Sequence, residues 1–413
     1  MAVAPQPSSA PDGPGDQPGY ICFAAVDWWY HNRAHSELQL MTRLARTRKV
    51  LLVNSIGMRM PLPGRSTKFM FRIWRKLKST LKLVKHPIPD TPNFAVLSPL
   101  ILPFYSTPWA RKLNAVLVRG QVRAAQRWLG IRDPIIVVTI PTAWEVVKPM
   151  RRRALIFNRI DKHSSFDEAD EGYIAAMEHQ LLAHSDVTLF VSKALLDEEM
   201  PETDGHGVFF DHGVDVERFD AAATLAEPED LRAIPHPRIG FFGGLDDYVI
   251  DFDLLERLAR DIPDAQLVLV GEATCSMERF DRYTNVHWLG YKPYAEIPRY
   301  GAGFDVGILP RLDSKWSKYT NPIKLKEYLA LGIPVVTRDL PEAHRYAEWI
   351  RIAGDDDAFV AATAAALADG GPGTPSERKR VVAGDTWDAR TDELIERCEN
   401  AGNLSGLRPR GTA

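Results

Sequence analysis

The sequence predicts an α/β protein built from two parallel sheets, each covered by helices on both faces. Three observations carry this. Short apolar runs of strand length alternate with longer amphipathic stretches along most of the 413 residues. The runs are continuously apolar rather than alternating, as strands buried on both faces require. The cycle also occurs twice, over residues 20–212 and 213–375, and a chain this long needs more than one core. Two Rossmann-like domains facing each other across a cleft satisfy all three, with ligand expected at the carboxyl ends of the strands.

In the first domain, strand-like runs lie at 20–26, 49–54, 94–98, 134–139, 154–157 and 187–191. Helical periodicity fills intervals at 35–46, 109–129 and 172–183. After His212-Gly213-Val214-Asp215 the pattern restarts with a strand at 238–242 and continues to about residue 352. Strands there end at Val270-Gly271-Glu272 and before Gly290-Tyr291, and others follow at 304–310 and 333–336. Residues 376–402, anchored by Trp387, read as one closing helix, and 403–413 as a frayed tail. Residues 1–19, rich in Pro, Gly, Ser and Ala, read as a disordered leader rather than a signal peptide.

Composition narrows the function classes. The formal net charge of −3, with 25% of residues charged, gives no basic bias toward nucleic acid. Cys22, Cys275 and Cys398 are too few and too scattered for a disulfide framework or a CxxC metal site, which suits a reducing, cytoplasmic compartment. No window reaches the roughly 18 apolar residues of a membrane span. No metal and no cofactor are expected: Asp246-Asp247 and Asp355-Asp356-Asp357 read as turn chemistry.

Residues 304–337, FDVGILPRLDSKWSKYTNPIKLKEYLALGIPVVT, form the most informative stretch. A strand runs into a polar loop carrying Arg311, Lys315 and Lys318. A helix then opens at Asn321-Pro322, read as a cap and a first-turn proline, and stops at Gly332. Free N–H groups and partial positive charge at the helix start favour a phosphate. Lys324 and Glu327, three residues apart, share a face, so cation and carboxylate stand side by side. That pair suits a ligand with phosphate at one end and hydroxyls at the other, such as a sugar nucleotide. A solvated Lys/Glu pair is the plain alternative.

The string NPIKLKEYLALGIPVVT resembles the N-P-x-K-x-x-E-Y-L-A-x-G-x-P-V-V signature of GT-B glycosyltransferases, retaining and family-4-like. The resemblance extends over most of 238–350, through IGFFGGLDD, LVLVGE and NVHWLGYKPYAEIPRYGAGFDVGILP. It is looser at HSDVTLFVSKALLDE and HGVDVERF. It implies a GT-B fold whose closing helix returns to the first domain. Donor binding would fall to Gly243, Gly244, Gly271, Tyr291, Arg311, Asn321, Lys324 and Glu327, with Glu327 on the ribose hydroxyls and Tyr291 near the base. Relatives often carry Arg and Lys after the Gly-Gly turn and a second Glu eight positions before Glu327. Here Leu245-Asp246-Asp247 and Tyr319 stand there, which shifts pyrophosphate neutralisation to Lys324 and Arg311.

On the acceptor side, Asp27 in Asp27-Trp28-Trp29-Tyr30-His31, and Asp161 and His163 after another strand, are candidates for orienting an acceptor hydroxyl. Lys324 completes the catalytic set, steadying the leaving group. Residues 65–85, RSTKFMFRIWRKLKSTLKLVK, hold eight Lys/Arg and no acid among aromatic and aliphatic residues. They suit an anionic membrane surface, with Arg72, Trp74, Arg75, Lys76 and Lys78 as contacts, over nucleic acid or a solvated face. The expectation is a cytoplasmic, peripheral glycosyltransferase taking a nucleoside-diphosphate sugar and a glycan or lipid-linked acceptor. A sugar-nucleotide 2-epimerase and a degenerate binding module are the alternatives.

Overall fold

The computed structural model describes residues 17–31, 33–57, 84–102, 107–165, 170–222, 224–314 and 316–405. The first sheet contains β1 (Tyr20–Phe23), β2 (Val50–Val53), β3 (Val84–Lys85), β4 (Phe94–Leu97), β5 (Ile135–Val138), β6 (Ala154–Arg159), β7 (Val187–Phe190) and β8 (Gly207–Phe209). Its order is β3-β4-β2-β1-β5-β6-β7-β8, parallel except where β3 meets β4. The second contains β9 (Arg238–Phe242), β10 (Gln266–Val270), β11 (Val286–Trp288), β12 (Val306–Leu309), β13 (Val335–Arg338) and β14 (Arg351–Ala353). Its order, β11-β10-β9-β12-β13-β14, is parallel throughout and reverses direction beside β9 and β12. A ligand crevice belongs at such a reversal.

The central strands are apolar because both faces are covered. Every residue of β1, β2, β4, β5 and β6 is buried. Two clusters sandwich the first sheet, one on the side of Phe23, Val53 and Phe157, the other on the side of Tyr20, Leu52 and Ile156. The strands β3, β8 and β14 are absent from the sequence reading. Each has only two or three residues, too few to show a period.

The closing segment departs from expectation. It forms two helices, Pro375–Val382 and Trp387–Ser405, rather than one over 376–402. The break is pinned by pairing with the segment that joins the sheets: the Val214 amide donates to the Asp385 carbonyl at 2.8 Å. Gly213 makes room there, since a Cβ on it would stand 2.7 Å from the Trp387 ring. The second helix does return to the first sheet. Trp387, Leu394, Cys398 and Ala401 enter its core, and Glu399 accepts from Tyr20 Oη and Arg48 Nε.

A buried ion cluster holds the junction. Lys326 Nζ lies 2.7 Å from the His212 carbonyl and 2.8 Å from both Asp211 Oδ2 and Asp385 Oδ2. Its three N–H donors meet three oxygens from two chain segments. Burial alone would raise the Asp211 carboxyl, but Lys326 and Arg345 hold it well below the usual range. Lys326→Met should therefore destabilise the protein by about 3–5 kcal/mol, because it removes the buried cation that Asp211 and Asp385 share and leaves the His212 carbonyl without its donor. Chemical denaturation measures this. A loss of about 1 kcal/mol or less, the ordinary surface value, would remove the cluster from its structural role.

Candidate active site

Strand β9 is followed by Gly243, whose φ of +141° places it where side chains are strained. A Cβ there would meet Lys324 Cε at 2.0 Å. Gly271, at φ +155°, has the Gly243 carbonyl oxygen 1.8 Å from its own Cβ position. These glycines therefore let two strand ends close together and give the Lys324 stem a path across them. The space beside Gly243, expected to take part in donor binding, is filled by Lys324. Gly244 beside it is exposed, with Asp246 Oδ2 2.8 Å from its Cβ position.

The helix after β12 spans Ile323–Leu331, with Pro322 as its N-cap and no side-chain cap. This corrects the reading of Asn321 as the cap. Asn321 Nδ2 instead donates to the Val191 carbonyl at 3.0 Å and to Asp211 Oδ1 at 2.8 Å, joining the sheets. Gly332 ends the helix in the left-handed conformation expected.

Lys324 makes no ion pair or hydrogen bond among the described residues. Lost hydration and the nearby Arg311 push its ammonium down to about 8, against the pull of Glu327 and Asp246. Arg311 follows β12, its Nη1 buried without a hydrogen-bond partner among the described residues. Burial takes it down to about 10, partly offset by Asp161. Glu327 is 3% exposed and accepts from Tyr294 Oη at 2.9 Å. Burial raises it to about 7 against Lys324 and Tyr294. It borders the crevice beside Lys324 but is less open than its sequence position suggested.

The first sheet supplies the opposite wall. Asp27 is buried, and its Oδ1 accepts the Trp29 amide at 2.9 Å, so it shapes its loop more than it faces solvent. Asn54 Oδ1 takes the Trp28 amide at 2.8 Å, while its Nδ2 reaches Ser98 Oγ. Glu37, 1% exposed, accepts the Val26 amide at 3.0 Å and the Ala25 amide at 3.2 Å. Asp161 accepts from Trp316 Nε1 across the joint at 3.1 Å. Burial lifts Asp161 to about 6, opposed by the indole and Arg311.

His163 does not fit the acceptor role expected of it. It is 2% exposed, and burial lowers it to about 4, leaving a neutral ring under the loop. Arg159 likewise serves the core, its guanidinium on Glu199 at 2.8 and 3.0 Å and on Glu178. Tyr319, standing at the second-Glu position, donates to Glu198 Oε2 on the first domain. Tyr291 is 58% exposed, within electrostatic reach of Arg33 from the opposite loop. Sequence reasoning missed Trp288, whose Nε1 donates to the Gly271 carbonyl at 2.9 Å, and Glu37. A buried carboxylate in a first helical turn carries no local signature. Arg72, Trp74, Arg75, Lys76 and Lys78 lie outside the described residues.

Residues 236–369 match the model of the family described as glycosyl transferases group 1. The chain carries a group 1 glycosyltransferase domain. A relative from Bacillus subtilis (strain 168), provisionally named the teichuronic acid biosynthesis glycosyltransferase TuaH, is 31% identical over 181 residues. That match spans 42% of this chain and 45% of the relative, under half of its length. Solved structures align over nearly the whole chain. Sucrose-phosphate synthase from Thermosynechococcus elongatus has a TM-score of 0.62 at 15% identity, covering 94% of this chain and 98% of its own. Trehalose 6-phosphate synthase from Burkholderia multivorans gives 0.62 at 13%, covering 94% and 99%. HepE of Anabaena, solved with UDP-glucose, gives 0.57 at 15%, covering 94% and 100%. At these identities the likeness shows the fold, which is GT-B. No helix among the described residues is long and apolar enough to cross a membrane.

The Lys324 ammonium gives a pH test within the glycosyltransferase domain. A cation at about 8 is charged below that pH and neutral above it, so an anionic ligand should bind fully below pH 8. Above it, affinity for a nucleoside diphosphate should fall by up to about tenfold per pH unit, with proton uptake on binding. Calorimetry in two buffers of different ionisation enthalpy reads the proton. Lys324→Arg should flatten the profile between pH 7.5 and 9 (roughly the window of the lysine). An unchanged profile would place the diphosphate elsewhere.

Proposed function

We propose that this chain transfers a glycosyl group from a nucleoside-diphosphate sugar to a hydroxyl acceptor, with retention, during assembly of a cell-envelope polysaccharide. The observation that carries it is the pair Lys324 and Arg311. Two cations in the joint have no ion pair within reach among the described residues, so an incoming diphosphate would compensate both. Glu327, beside Lys324, supplies acceptors for ribose hydroxyls. The group 1 domain and the TuaH relative support the transferase reading, and HepE with UDP-glucose supports the donor class.

In the reaction, the acceptor oxygen bonds to the anomeric carbon as the carbon–phosphate-oxygen bond breaks. The nucleoside diphosphate leaves with the electron pair, and a donor phosphate oxygen takes the acceptor proton. Lys324 and Arg311 stabilise charge growing on the leaving group, in place of a metal. Asp161 and the loop at Asp27 border the acceptor. An apolar depression at the first sheet's carboxyl edge, lined by Ile56, Ile101, Ala115, Val118, Val146 and Tyr173, suits a lipid-linked acceptor. The basic stretch at 65–85 fits a peripheral position on the cytoplasmic membrane face. Asp246, beside Lys324 where relatives carry a cation, favours the second reading, a module that binds without turnover.

Nucleotide release from a panel of sugar nucleotides, with and without lipid-linked acceptors, separates the readings. Acceptor-dependent release supports transfer, an epimerised donor supports the 2-epimerase, and binding without conversion supports the module. Lys324→Ala should lower kcat more than it weakens binding of the bare nucleoside. Glu327→Gln keeps the Tyr294 hydrogen bond but loses charge-assisted acceptance, so donor affinity should drop by about 1.5–3 kcal/mol. Unchanged nucleotide affinity in calorimetry would remove Glu327 from the ribose site.

A further inference from the structure

The Pro108–Trp128 helix has two apolar faces. One, with Ala115, Val118, Val122 and Ala125, packs on the first sheet. The other is open. Trp109 is 61% exposed, Val116 56%, Leu117 40%, Leu113 39% and Trp128 65%. Their spacing of three, four and seven residues puts Trp109, Leu113, Val116 and Leu117 on one stripe, continued by Gly120. The helix holds five cations (Arg111, Lys112, Arg119, Arg123 and Arg127) and no acid. Lys112, Arg119 and Arg123 follow one flank of the stripe at helical spacing. Arg119 is tied to the Glu145 and Val146 carbonyls, and Arg111 to Asp170, while Lys112 and Arg127 are exposed.

We propose that this face is a docking surface for an anionic lipid bilayer, with the helix lying in the interface plane. An apolar stripe with cations along one flank, on a helix that holds no carboxylate and has a tryptophan at each end, matches the headgroup boundary of such a membrane. A protein partner would need acidic residues around an apolar strip; a bilayer supplies both chemistries continuously. The surface also adjoins the chain that follows the basic stretch. His86, one residue past it, touches Trp128 with ring centroids 5.7 Å apart. The proposal rests on the peripheral placement proposed above and names a surface for it, independently of the transfer reaction.

Gly120 gives a clean test. It is exposed in mid-helix, and a Cβ on it would meet nothing within 4 Å. Gly120→Glu should fold at least as well as the parent, since Glu favours helix over Gly. On vesicles of phosphatidylcholine with phosphatidylglycerol it should partition about tenfold more weakly than the parent, and Gly120→Lys at least as strongly. Trp109→Ser with Val116→Ser should lose binding similarly while nucleoside-diphosphate affinity and melting midpoint stay unchanged. Equal partitioning of the Glu and Lys variants overturns the proposal. So does a parent that ignores anionic vesicles, or variants that alter self-association in sedimentation instead. If replacing Arg72, Arg75, Lys76 and Lys78 abolishes binding while the helix variants bind normally, the helix surface is excluded and the peripheral placement survives. Sugar-nucleotide turnover without vesicles reports on the transferase reading separately.

Discussion

The architecture depends on one buried ammonium. Lys326 sits on the helix after β12, yet its partners lie on the segment joining the two sheets and on the turn between the last two helices. Asp211 then draws in Arg345 at 2.7 Å and Asn321 at 2.8 Å, both from the second domain. One cation and one carboxylate thus fix the register between a sheet, its neighbour and the returning helix. A buried ion pair adds little net stability over an apolar core, but breaking it is costly, which suits an arrangement that must hold a geometry.

That geometry sets the chemistry of the cleft. With the joint closed at Asn321, Trp316 and Tyr319, Lys324 crosses the end of β9 and Arg311, after β12, comes within electrostatic reach of Asp161, after β6. Both cations lose hydration there without gaining an ion-paired carboxylate among the described residues, and their acidity rises. Glu327, Asp161 and Glu37 lose hydration too and move toward neutrality. The cleft thereby combines uncompensated positive charge with weakened carboxylates, a setting that favours a phosphate-bearing ligand over a cationic one.

The long apolar strands and the amphipathic helices were legible in the sequence, because each carries several residues of one period. The strands β3, β8 and β14 were not, since edge pairing rather than pattern creates them. The side-by-side placement of Lys324 and Glu327 was legible through helical spacing. The role of Asn321 was misread because local cap chemistry lost to a tertiary contact with Asp211. His163 and Asp27 follow strand ends as expected, yet burial decides what they do, and burial is not a local property.

The sequence by itself determined the two α/β cycles, the helix stop at Gly332 and the cation–carboxylate pair on one helix face. These depend on periodicity and on backbone conformations available to single residues. Only the tertiary structure decided that Gly243 makes way for Lys324, that Lys326 rather than a surface pair locks the junction, and that the 108–128 helix keeps a second apolar face open. Each of these depends on atoms distant in the chain sharing one space, and no local pattern encodes such a meeting.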